Sequence, residues 1–165
     1  MEQQVQIFND DVEIASHGKI FCTVVNEDGS FSKMAVRNKV LLSGRTALAK
    51  SLANQIGGDF NFYIARVLFG SSGTVSGAPR FVEDNREGLF GPVTLTKPVV
   101  ATIDSLTPSQ VTFTTTVTFN DLIGQAINEM ALEMATGDLF SMATFGDINK
   151  TAGMQLIFNW RLSMV

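Results

Sequence analysis

Met154-Gln155-Leu156-Ile157-Phe158-Asn159-Trp160-Arg161-Leu162-Ser163-Met164 alternates almost without fault. Met154, Leu156, Phe158, Trp160, Leu162 and Met164 fall on one side, Gln155, Asn159, Arg161 and Ser163 on the other, and only Ile157 breaks the rule. Successive strand side chains point to opposite faces, so this is a strand with a core face and a wetter face. Trp160 belongs to the core face. The strand runs to within one residue of the C-terminus, from which we expect no tail for targeting or tethering and a part built for packing.

Other stretches repeat the pattern at lower contrast. Val111 to Phe119 sets Val111, Phe113, Val117 and Phe119 opposite four threonines, and Ile127 to Met134 sets Met130, Leu132 and Met134 on one face. Leu139 to Phe145, after a Gly137-Asp138 turn, and a Gly146–Gly153 loop lead into the closing strand. Val93 to Ile103 is a strand with Pro98 inside it, which places it at an edge or a bulge because proline lacks an N–H. Phe60 to Phe69 is apolar on both faces, the mark of a covered strand. In the first 36 residues, Val5 to Phe8, Val12 to Ala15, Lys19 to Val25 and Phe31 to Val36 read as short strands. Asn26-Glu27-Asp28-Gly29 is the strongest turn, since Asp-Gly suits positive φ. Turn signals every 8–12 residues predict a mainly β protein, an antiparallel β-sandwich or partly open barrel.

One helix interrupts the strands, within 39–56. Leu41, Leu48, Leu52 and Ile56 form an apolar stripe, Ala47, Ala49 and Ala53 favour the helix, Ser43 is the expected N-cap with 39–42 as lead-in, and Gly57-Gly58 supplies the stop. Residues 70–92 form the other irregularity, rich in Gly, Ser and Pro. A loop that long is uncommon in a small domain. It carries Phe81, Val82, Leu89 and Phe90, so we read it as an arm that packs on something.

Composition narrows the class. The 165 residues are one domain by size, 1–165, and bury roughly 70% of their unfolded surface. Hydrophobic residues make up 45% and charged residues 17%, below the roughly 25% of an average soluble domain. Thirteen Phe against one Trp and one Tyr favours cores and dry interfaces over base- or sugar-stacking platforms. A net charge of −4 and a pI of about 4.9 argue against a nucleic-acid partner. No apolar run reaches the 18 residues of a membrane span, and Met1-Glu2-Gln3-Gln4 is no signal peptide. We expect a soluble chain of a reducing compartment, without membrane partner or cofactor.

Chemistry is sparse. His17 and Cys22 could form a nucleophilic pair, but Cys22 alternates with Ile20 and Val24 on an apolar face, where a free thiol behaves as a small hydrophobe. One His and one Cys leave no soft ligand set for zinc. Glu129 and Glu133 share one side of their strand and could serve as an acid–base pair, yet they read more simply as its wet face. Gly70-Ser71-Ser72-Gly73 lacks the Gly-Lys-Ser/Thr of a phosphate loop and reads as a plain turn. Asp138, Asp147 and Asn149 have no calcium-loop spacing. Met130, Met134, Met142, Met154 and Met164 cluster in the last third, as gap fillers of a core.

The order of several pieces resembles a pattern of tailed-bacteriophage virion structural proteins, of tail, baseplate and fibre-attachment type. Those pieces are Arg37-Asn38-Lys39-Val40 before the helix, Tyr63 to Phe69 before the Ser/Gly/Pro-rich loop, and Ile127-Asn128-Glu129-Met130-Ala131-Leu132. Gly137-Asp138-Leu139-Phe140, Phe145-Gly146-Asp147-Ile148-Asn149-Lys150-Thr151 and the Trp160 strand complete it. The resemblance spans roughly 37–165. It departs at Ala131, where the pattern has Gly, and at Ser141–Thr144, which lack a basic residue. It implies a non-enzymatic virion subunit, made in host cytoplasm, whose partners are copies of itself and other virion proteins. A head-decoration or neck/collar protein is the nearest alternative, and a receptor- or carbohydrate-binding module a more distant one. The contact residues we single out are Phe81, Val82, Leu89 and Phe90 on the loop and Val5, Ile7 and Phe8 in an N-terminal reaching strand.

Overall fold

The closing strand, β11 (Met154–Met164), pairs along its whole length with β1 (Ser16–Asn26), in register from Ser16 opposite Met164 to Asn26 opposite Met154. The computed structural model describes residues 16–53 and 62–164. The expected strands at Val5–Phe8 and Val12–Ala15 lie outside them, as do Phe60, Ile56 and the Gly57-Gly58 stop. β1 turns through Gly29, whose φ is +80°, into β2 (Phe31–Val40). The other elements are α1 (Leu42–Leu52), β3 (Ile64–Gly70), β4 (Thr74–Val75), β5 (Ala78–Pro79), β6 (Leu95–Pro98), β7 (Val100–Ile103), β8 (Gln110–Val117), β9 (Ala126–Met134) and β10 (Leu139–Asn149).

Nine strands form one antiparallel sheet in the order β6-β3-β9-β10-β2-β1-β11-β8-β7. Its two end strands are consecutive pieces of one segment. β6 pairs with β3 and β7 with β8, and the change of partner falls at Pro98-Val99. Pro98 has no N–H to give to a ladder, and its carbonyl accepts the Thr115 hydroxyl at 3.0 Å. The sheet therefore nearly closes into a barrel, as the sequence pattern predicts. Counting 95–103 as one strand gives eight, a number whose interior side chains just fill. Trp160, Phe158, Phe69, Met130, Leu132 and Ile20 are all within 1% of complete burial there. The Phe69 and Phe158 rings, from strands that are not neighbours, meet at 5.3 Å. The Asn38 amide, oriented so that its oxygen faces Trp160 Nε1 at 3.3 Å and its nitrogen the Gly18 carbonyl at 2.6 Å, satisfies the indole.

The helix corrects the sequence reading in three respects. The residues expected as its lead-in are strand as far as Val40, because Lys39 and Val40 pair with Met142 and Ser141 of β10. Its N-cap is Leu41, and Ser43 sits in the first turn with its hydroxyl donating to the Leu139 carbonyl. The buried side is Leu41, Gly44 and Ala47 with Leu48 half-buried, whereas Leu52 of the expected stripe is 83% exposed. Gly44 decides this geometry: a Cβ there would lie 2.3 Å from the Phe140 carbonyl oxygen. Glycine lets the helix backbone rest directly on β10.

A second, smaller core lies outside the barrel. Leu68, Ala131, Leu139 and Met142, on the outer faces of β3, β9 and β10, pack with Leu41, Val82, Leu89 and Phe90. Loop 70–92 is thus a strap across this flank. The doubly apolar reading of Phe60 to Phe69 holds for β3 for this reason: Val67 and Phe69 face the barrel core and Leu68 faces the strap.

Candidate functional site

Two polar residues in the apolar strand β9 hold the strap. Asn128 and Glu129 are 2% and 0% exposed. The Glu129 carboxylate accepts backbone N–H bonds from Ser72 at 3.0 Å, Phe90 at 2.7 Å and Gly91 at 3.3 Å. Asn128 accepts from the Gly73 N–H at 2.7 Å and donates to the Ser71 carbonyl, the Thr74 hydroxyl and Asp147 at 2.9–3.1 Å. A buried anion with three N–H donors is well solvated by protein. A Cβ on Gly73 would come 2.3 Å from the Asn128 carbonyl oxygen, so Gly70-Ser71-Ser72-Gly73 is a docking turn, closer to β9 than any other residue allows.

This corrects the wet-face reading of Glu129. Alternation shows that two residues share a face and is silent on what covers that face; here the strap does. Glu133, four residues on, has a different task, an ion pair with Arg66 on β3. The two carboxylates are engaged separately, Glu129 by amides and Glu133 by a guanidinium. Asp147 joins the Asn128 network, and Asp138 bonds Thr136 within its own turn. Among the described residues no three acidic, His or Cys side chains gather as metal ligands.

Further contacts close the strap. Asp84 accepts from Lys39 and Arg45 at the helix start, and Lys39 first, then Arg45, holds its carboxyl below the usual value. The Phe90 ring sits under Arg86, whose guanidinium carbon is 3.6 Å from the ring centroid, with Arg80 at 4.9 Å. At one end of the barrel Lys150, 1% exposed, donates from Nζ to the Phe119 and Thr151 carbonyls at 3.2 and 2.7 Å. Burial pushes its ammonium below the ordinary value, and Asp121 partly opposes this. Cys22 lies in the barrel core, 1% exposed, and burial pushes its thiol up to about 12.

Of the contact residues singled out from sequence, Val5, Ile7 and Phe8 lie outside the described residues. Val82 is buried and Leu89 and Phe90 half-buried, all three against the chain's own barrel. Phe81 alone of the four faces solvent, 76% exposed. The arm packs on its own domain.

The apolar surface lies elsewhere. All four residues of β7 are exposed, so neither of its faces is covered, and among the described residues β7 pairs with β8 only. Val100 is 67% exposed, Ile103 65%, and Leu106 in the following turn 88%. The signal was present in sequence as Val-Ala-Thr-Ile followed by Leu106, apolar residues beyond the proline that ends β6. Among the described residues no helix is long and apolar enough to cross a membrane. Comparison with protein-family models, with curated proteins and with solved structures returns no match.

Proposed function

We propose that the chain is a structural subunit without catalytic activity, of the tail, baseplate or fibre-attachment region of a tailed-phage virion, and that it assembles through β7. The observation that carries the assembly reading is the strand Val100–Ile103 with Leu106: exposed on both faces, unpaired along one edge among the described residues, and rich in Val, Ile and Thr. An edge of that kind is a template for another chain's strand, and soluble proteins ordinarily blunt it with charge. Within residues 98–107 the sequence has a single charge, Asp104. The virion assignment rests on the ordered motifs between Arg37 and Trp160. The strap anchors within those motifs, Asn128 and Glu129, have a structural use that fits a subunit: they hold a loop rigid. The carbohydrate-binding alternative loses its best platform, because Trp160 is completely buried.

Val100→Lys with Ile103→Lys is the direct test. Both positions are exposed, so the fold is retained, while apolar contact and edge pairing are opposed by charge. Sedimentation of the wild-type protein should show an oligomer and that of the variant a monomer. A wild type that is monomeric at 100 µM (about the concentration at which weak interfaces populate) overturns the assembly reading. Antibody labelling of purified particles of the phage encoding the chain tests the virion reading, which fails if no particle is labelled.

A further inference from the structure

The flank opposite the strap has a charge pattern that the chain's composition does not predict. Lys19 of β1 lies directly opposite Arg37 of β2 on one side and Arg161 of β11 on the other, three exposed cations in one row across adjacent strands. Neighbouring strands are about 4.8 Å apart, and like charges in direct cross-strand register are destabilising. Among the described residues none of the three has a carboxylate partner, whereas Lys39, Arg45, Arg66, Arg86 and Lys97 all do. The outward-facing positions of β1, β2, β11 and β8 include no acid at all, in a chain of net charge −4. The row lines an open groove of about 600 Å³, with Gln110 and Ser163 as uncharged polar lining and the Arg161 guanidinium 5.1 Å from the Phe21 ring centroid.

We infer that this groove is the docking site of the chain's own acidic stretch, residues 1–15. That stretch carries Glu2, Asp10, Asp11 and Glu13 and no basic residue, a charge of −4 at its side chains against +3 in the row. It joins β1 at Ser16, three residues before Lys19, so a stretch turned back at this junction has only about 10 Å to cover, at about 3.3 Å per residue, for its acids to reach the row. The apolar residues beside those acids, Val12 and Ile14, match the half-buried Phe21 ring in the groove. Engagement within one molecule and engagement of a second copy use the same contacts.

The test uses the full-length chain with Asp10→Asn, Asp11→Asn and Glu13→Gln, and a fluorescent synthetic peptide of residues 1–15 as probe. An intramolecular competitor has an effective concentration of about 1 mM, so a peptide of roughly 100 µM affinity binds the wild type about tenfold more weakly than the neutralised chain. Adding Arg37→Gln and Arg161→Gln should abolish the gain, and 0.5 M salt should reduce it severalfold. Equal peptide binding by wild type and neutralised chain, or gain that survives removal of the two arginines, overturns the inference. So does equal binding of a scrambled peptide of the same composition, or of a single-stranded oligonucleotide, either of which marks a general anion groove. Mixing labelled and unlabelled chains in a carbodiimide cross-linking experiment separates same-molecule from second-copy docking, and absence of any link from Lys19 to residues 1–15 again overturns it.

Discussion

Exchanging the Glu129 carboxylate for an amide measures what holds the strap. In Glu129→Gln the shape is kept and one oxygen can still accept from Ser72 and Gly91, but the new NH₂ group faces the Phe90 N–H, donor against donor. A hydrogen bond to a charged acceptor contributes about 1.5–3 kcal/mol, and a buried donor left unmet costs about 1–3 kcal/mol. Shared between the two effects, a loss of about 3 kcal/mol is expected. For a chain of this size that lowers the melting temperature by about 6–12 °C. The loss should be local first. Amide exchange at Phe90 should accelerate about a hundredfold, at roughly tenfold per 1.4 kcal/mol, while Ile20 and Phe158 in the barrel keep their protection. Urea unfolding and residue-resolved hydrogen exchange supply both readings. A stability change within about 0.5 kcal/mol together with unaltered protection at Phe90 refutes the anchoring role.

Gly44→Ala should destabilise by up to about 2 kcal/mol in thermal unfolding: overpacking costs about 1–3 kcal/mol against the Phe140 carbonyl, while the helix-propensity gain is about 1 kcal/mol. Asn128→Leu, which removes four hydrogen bonds and strands the Gly73 N–H, should cost about 3–4 kcal/mol and make the 71–74 segment a new site of limited proteolysis. The Cys22 thiol should resist thiol reagents at pH 8 until the barrel unfolds. Its folded pKa of about 12 stands above the ordinary 9.0, so the unfolded thiol loses its proton first, and this group's contribution to stability falls as pH rises from 9 toward 12. The stability difference between wild type and Cys22→Ala should shrink across that window and stay constant below pH 8.

Where one face is core and the other solvent, the chain is legible. β11 and β8 could be traced from alternation because their inner faces are core while their outer faces are covered by no other described element, and Asp28-Gly29 marked the β1–β2 turn. Pro98 was also informative, since a residue without N–H marks where one ladder ends. Alternation fails at β9. Ala126 to Met134 is buried on both faces, so Glu129 looked like the wet side of a strand when it is, with Asn128, an inner anchor of the strap. Two adjacent polar residues in an otherwise apolar run were the available clue, but their donors are backbone N–H groups some 38–57 positions away, which no local pattern encodes. The helix stripe failed for a related reason. Gly44 lies against the Phe140 carbonyl and Ala47 is buried one turn on, small residues that permit close approach, so the larger Leu52 is left outside.

The pairing of β1 with β11 also governs when the molecule can fold. Their partners are separated by 128–148 positions, from Asn26 and Met154 to Ser16 and Met164. During synthesis the β1–β2 hairpin emerges early, and the outer edge of β1 has no pairing partner until residues 154–164 leave the ribosome. At 5–20 residues per second the hairpin, complete at Val40, waits roughly 6–25 s for Met164 with an open edge. A chain of this topology is slow by loop-closure entropy alone, and its yield in a cell depends on what shields that edge in the interval.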